Sequence, residues 1–140
     1  MKRAIVVLGC LIPMLLCASC GGGTTYGIKE FAAVMEKANN DLKNVKNSDE
    51  LAALTTRVKN DILSLQPKLL KLKEDYPGFF SQKPDVTNLP KGVSGEDLTK
   101  LMTELDLFNA ESNSMPPEWS NDPVVKQAVA EFRKVYGNIF

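Results

Sequence analysis

Apolar residues in this chain recur at intervals of three and four over long stretches, and that period constrains the fold more than any other feature. From Ile28 they run Ile28, Phe31, Met35, Ala38, Leu42 and Val45, which forms one stripe along a helix of 3.6 residues per turn. Lys29, Glu30, Glu36, Lys37, Asp41 and Lys43 occupy the rest of that surface. Asn44, Asn47 and Ser48 end the run. Ser48 is expected to cap the next helix, with Asp49 and Glu50 in its first turn, where carboxylates meet the positive end of the helix dipole.

A second stripe follows: Leu51, Leu54, Val58, Ile62, Leu65, Leu69, Leu72 and Tyr76, with Leu63 and Leu70 widening it. Pro67 lies inside. Proline removes a backbone donor and clashes with the preceding turn, which predicts a kink near residues 63–66 or two abutting helices. Pro77-Gly78 closes the segment. Ser94 begins a third helix with Glu96 and Asp97 in its first turn, Asp97 at the return position of a capping box. Leu98, Leu101, Leu105 and Phe108 form its stripe, with Met102 beside it. Asp122-Pro123 opens a fourth helix, aspartate as cap and proline at the first helical position. Its stripe is Val125, Ala128, Phe132, Val135 and Ile139, widened by Val129 and Tyr136.

No strand-like alternation of useful length competes with these stripes. The expected fold is therefore all-α, a small antiparallel bundle of about four helices, the second kinked at Pro67, forming one domain over residues 26–140. The strict spacing of the first stripe also admits a coiled-coil contact with another chain. Three further apolar faces on the same chain need partners, however, which favours the intramolecular bundle.

Two connections stand out. Residues 77–93 exceed the usual loop length and carry Phe79, Phe80, Val86 and Leu89 among Pro77, Pro84 and Pro90. The segment reads as a strap over the bundle, the alternative being a binding loop. Residues 112–121 carry Met115-Pro116-Pro117-Glu118-Trp119, with the sole tryptophan. Paired prolines are expected to hold this loop extended. Trp119 then either plugs one end of the bundle or is displayed to a partner. Phe79, Phe80, Pro116, Pro117 and Trp119 are the candidate partner-binding residues.

The chemistry available is narrow. The sequence contains no histidine, and its three cysteines, Cys10, Cys17 and Cys20, all lie in the first twenty residues. The commonest general base, the commonest zinc ligand and a disulfide framework are thereby missing from the helical part, and no metal site is expected. Glu74-Asp75, Glu96-Asp97 and Glu104 with Asp106 supply carboxylates, but helix-start electrostatics and solvated faces account for those of the third helix. Gly21 to Gly23 follows no strand and opens no phosphate loop. Lys59, Lys68, Lys71 and Lys73 are interspersed with Asp61, Glu74 and Asp75, so they read as a solvated face. Lysine plus arginine equals aspartate plus glutamate at 17 each. Nucleic acid, which demands a clustered basic surface, is not an expected partner.

The N-terminus is of a different kind. Lys2 and Arg3 precede an apolar run from Ala4 to Leu16, and Ala18 and Ser19 follow as small residues. This is the three-part layout of a secretory signal. The run falls short of the ~20 residues a membrane-crossing helix requires, and Pro13 interrupts it. Its end, Leu16-Cys17-Ala18-Ser19-Cys20, resembles the lipobox of bacterial lipoproteins, with Cys17 where that family usually carries leucine. The resemblance covers only the first twenty residues. It implies a signal peptide over residues 1–19 and a Cys20 that bears a diacylglycerol thioether and an N-acyl chain such as palmitate. The alternative is an ordinary signal peptide cut after Ser19, which would leave a free reactive thiol. Gly21, in place of aspartate after the lipid cysteine, implies outer-membrane sorting if the cell is Gram-negative. Residues 20–25 read as the lipidated cysteine and a flexible tether.

Together these readings describe a cell-envelope lipoprotein, held to a membrane by lipid with its domain outside the cytoplasm. It is expected to be a non-enzymatic binding or structural module needing no cofactor, with an envelope protein as candidate partner; its oligomeric state is open. The alternative is an envelope enzyme or small-ligand carrier with a pocket between helices.

Overall fold

A computed structural model of the chain describes residues 26–80 and 87–140. The protein is all-α, with no strand among the described residues: α1 (Ile28–Leu42), α2 (Ser48–Asp75), α3 (Gly95–Asn113), α4 (Pro117–Asn121) and α5 (Pro123–Ile139). The signal segment, Cys20, the tether and the strap residues Pro84 and Val86 lie outside the described residues.

Polar cross-links fix the register of the helices. Glu30 pairs with Lys68 and Asp41 with Arg57, so α1 and α2 run antiparallel. Glu36 pairs with Lys100, and the Asn39 amide donates to the Glu104 carboxylate at 2.7 Å, so α1 and α3 run parallel. The Ser48 hydroxyl donates to Asp122 at 2.8 Å and Lys59 pairs with Glu131, so α2 and α5 also run parallel. Consecutive long helices thus alternate in direction, while the spatial order is α3, α1, α2, α5. α2 and α3 are not neighbours. A long connection between them follows from that, since it joins two helices that do not touch; of its described residues, Phe79, Phe80 and Leu89 pack against the core.

The core lies where α1 meets α2. Phe31, Met35, Leu42, Val58, Ile62, Leu69, Leu72 and Ile139 are essentially removed from water, each contributing about 1.5–3 kcal/mol of hydrophobic stabilisation. All eight are stripe positions. Leu63 and Leu70 are not part of it: at 45% and 37% exposed they face solvent, because their offset along α2 turns them away from α1 and α5. Neither is the first stripe available for coiled-coil contact with another chain, since Phe31, Met35, Ala38 and Leu42 are consumed inside the bundle.

Local signals differ from expectation at two points, the cap of α2 and the 112–121 connection, and at Pro67 the structure decides between the two alternatives. The cap of α2 is Asn47, not Ser48: its side chain accepts from the Glu50 amide at 2.9 Å, while Glu50 reaches back to the Lys46 amide. That reciprocal pair satisfies one helix-start donor and the amide just before the cap, and leaves Ser48 free to join α5. α2 runs as one helix from Ser48 to Asp75 through Pro67, not as two abutting helices. Pro67 and Leu63 are both exposed, so the carbonyl that loses its donor lies on the solvent side. The 112–121 connection is not extended throughout. Pro117 begins the short helix α4, because proline suits a first helical position. The caps at Ser94 and Asp122 stand where the sequence puts them, accepting from Asp97 and Val124 amides at 3.4 and 2.9 Å.

The first described residues are firmly held. Tyr26 is buried, and its hydroxyl donates to Asp75 at 2.9 Å. That bond, with burial, pushes its pKa up to about 12, while Lys71 and then Tyr26 draw Asp75 below the usual carboxylate range. Gly27 takes a left-handed φ of 79°, and a Cβ there would meet Lys68 Cβ at 3.2 Å. Only glycine combines that turn with so close an approach.

Candidate functional site

α3 and α5 face each other without a close backbone approach, although both carry apolar stripes. Each of the three closed interfaces has polar cross-links; among the described residues none joins α3 to α5. The result is a groove with two adjoining chambers that share Phe108, Asn109 and Phe132.

The chamber nearer α4 has a volume of about 470 Å³. Leu51 and Val58 of α2 form its base, and Val125 and Val129 of α5 one wall. Polar groups come from Thr55, Asn109, Ser112, Asn113 and Ser120. Its charged lining is Lys126 and Arg133, both exposed, whose side chains have no ion pair or hydrogen bond among the described residues. The second chamber, about 420 Å³, lies toward the end where Tyr26 enters the fold. It is lined by Met35, Met102, Leu105 and Tyr136 as well as the shared residues, with exposed Asp106 at its edge. Both volumes fall within the range of small-molecule sites.

The helices set these side chains in place through cross-links behind the groove. Lys59 of α2, half-buried, holds Glu131 at 2.7 Å and draws its carboxyl below the ordinary range, which fixes the rotation of α5. Glu131 thus lies against α2, while Lys126, Val129 and Arg133 line the groove. On the other side, Asn39 donates to both the Glu104 carbonyl and carboxylate, holding α3 against α1. Asn39 is only 4% exposed, and its Oδ1 has no hydrogen-bond partner among the described residues.

The sequence-derived candidates lie elsewhere. Phe79 and Phe80 are half-buried in an aromatic cluster at the tether end, where Phe80 meets Phe140 edge-on at 4.5 Å and Phe140 stacks on Phe31. Trp119 is half-buried on α4 and packs against the core; Pro116 is half-buried and Pro117 exposed. The two groups therefore sit at opposite ends of the bundle and do not form one site. Sequence reasoning placed Phe108, Phe132, Val129 and Tyr136 in core stripes and did not single out Lys126 or Arg133. The available signal was the breadth of the last stripe, wider than one neighbouring helix covers.

Among the described residues no group of three or more acidic or cysteine side chains is arranged to hold a metal ion. Nor is any described helix long and apolar enough to cross a membrane. The chain matches no protein-family model, no curated protein and no solved structure.

Proposed function

We propose that this protein is a membrane-anchored envelope lipoprotein that works by binding and not by catalysis, with the groove between α3 and α5 as its binding surface. The Lys2-Arg3 start, the short apolar run and Cys20 support the anchor. One observation carries the binding role: two long helices with apolar stripes stand apart, whereas the α1–α2, α1–α3 and α2–α5 pairs are closed and cross-linked. Leaving Phe108, Phe132 and Val129 half-covered forgoes hydrophobic stabilisation, a cost that an occupant of the groove offsets.

The alternative of a small-ligand carrier gains weight from the same groove, whose chambers have the dimensions of a ligand site. The enzyme half of that alternative draws no comparable support, since the charged lining consists of Lys126, Arg133 and Asp106, a set with one carboxylate and no histidine.

Anchoring is tested by replacing Cys20 with serine in cells given labelled palmitate. The wild type is expected to take up label and sediment with membranes, and the variant to do neither. Identical partitioning with no label in either would overturn the anchor. Binding is tested by placing a photoreactive amino acid at Asn109, in the groove, or at Lys37, on the exposed side of α1. Adducts from position 109 alone are expected; equal yields from both positions would remove the groove from consideration.

A further inference from the structure

We infer that the groove takes an anionic amphiphile: an acyl chain lying along the methionine-rich chamber, with a carboxylate or phosphate headgroup held by Lys126 and Arg133. This deepens the binding reading and rests on it.

The first argument is where the charges stand along two chambers that share Phe108, Asn109 and Phe132. The chamber toward α4 contains the two cations and the polar side chains of Asn109, Ser112 and Ser120. The chamber toward the tether end is lined by Met35, Met102, Leu105 and Tyr136, with Asp106 at its edge, the shared Asn109, and no cation. A ligand with an anionic group at one end and a hydrocarbon part at the other matches cations in one chamber and none in the next. Methionine, unbranched and polarizable, adapts to a flexible chain better than a branched side chain does.

Charge is the second argument. Lys126 and Arg133 lie two turns apart on α5, about 10 Å along the axis, within joint reach of a headgroup between them. Five other cations are spent on ion pairs: Arg57, Lys59, Lys68, Lys71 and Lys100. Several exposed lysines elsewhere also lack an ion pair among the described residues, but only Lys126 and Arg133 line this chamber, and no carboxylate does. Asp106 stands at the exposed edge of the far chamber, where only hydrocarbon would pass.

The test uses the full, lipidated chain in phosphatidylcholine vesicles and the fluorescence of Trp119, which adjoins the chamber residue Ser120. Three probes are titrated: stearic acid spin-labelled near its carboxyl, its methyl ester, and a lysophosphatidic acid labelled at the same depth. A seated headgroup brings the nitroxide beside Trp119, so saturable quenching is expected from one or both acids. The ester, and the acids with the Lys126→Gln/Arg133→Gln variant, are expected to bind on the order of tenfold more weakly, as loss of a charge-assisted contact implies. Preference between the two acids distinguishes a fatty acid from a phospholipid source. Absence of saturable quenching, or equal quenching by the ester or by the double variant, would overturn the proposal. So would displacement of the probes by an acidic helical peptide that itself binds more tightly. In each of those cases groove-specific crosslinking from position 109 would still stand, leaving the binding role separate from the ligand class.

Discussion

The α1–α2 side of this molecule and the α3–α5 side are built from the same kind of apolar stripe, yet they end in different states. α1 buries seven of its 15 residues, including Phe31, Met35 and Leu42. α3, with 19 residues, buries only Leu98 and Leu101, and leaves Met102, Leu105 and Phe108 half-covered. α1 is enclosed because α2 and α3 both pack on it; α3 has α1 alone for a neighbour. Burial is thus a property of how many neighbours an element has, and the stripe supplies only the direction in which it must look.

Truncation separates the two sides most sharply. Phe31 is fully buried, so Phe31→Ala is expected to cost about 3–5 kcal/mol in denaturant unfolding. Phe108→Ala, on the groove, should cost well under half as much. Equal losses would mean that the groove closes in solution and that the contrast between the sides is not real. A smaller effect is expected at the α4 end, where Trp119 covers the core from a five-residue helix. Trp119→Ala should lower stability by roughly 1–2 kcal/mol. An unchanged melting curve would return Trp119 to the role of a displayed contact residue and make the α4 end as open as the groove beside it.

The smallest effect concerns the closed side at the tether end. The pKa of Tyr26 is raised to about 12 by its bond to Asp75, so the folded state favours the protonated phenol. Its contribution to stability is complete below the unfolded value near 10 and is lost as pH rises through about 12. Asp75, drawn down by Lys71 and Tyr26, works in the opposite sense: its contribution is present above the ordinary carboxylate pKa and is lost as acid protonates it. Absorbance titration of wild type against Tyr26→Phe should reveal one phenol ionising near 12 that the variant lacks. If the two curves differ only near pH 10, Tyr26 is not held, and the entry to the bundle is looser than its core.

Much of this was legible in advance because it is local. The period of 3.6 marked every long helix, and capping at Ser94 and Asp122 followed from side chains that accept a bond two or three residues ahead. The local errors had local competitors. Asn47 displaced Ser48 as cap because Glu50 suits a reciprocal bond from that position. Pro117, read as stiffening an extended loop, instead began a helical turn. Asn39 escaped notice because asparagine on an apolar stripe has no signature; only the arrival of Glu104 from α3 gives it partners. The groove was missed for a related reason. Phe108 and Phe132 look the same in sequence whether a helix covers them or not.

The sequence by itself determined that the described chain is helical, which face of each helix is apolar, and where most helices begin, since these depend on residues within a few positions of one another. Only the tertiary structure decided that α3 pairs with α1 and α5 with α2, and that the last two helices stand apart. That choice depends on how the apolar faces of residues far apart in the chain fit together, and the contacts Lys100–Glu36, Lys59–Glu131 and Ser48–Asp122 mark the register that results. No period along the chain encodes which of them will meet.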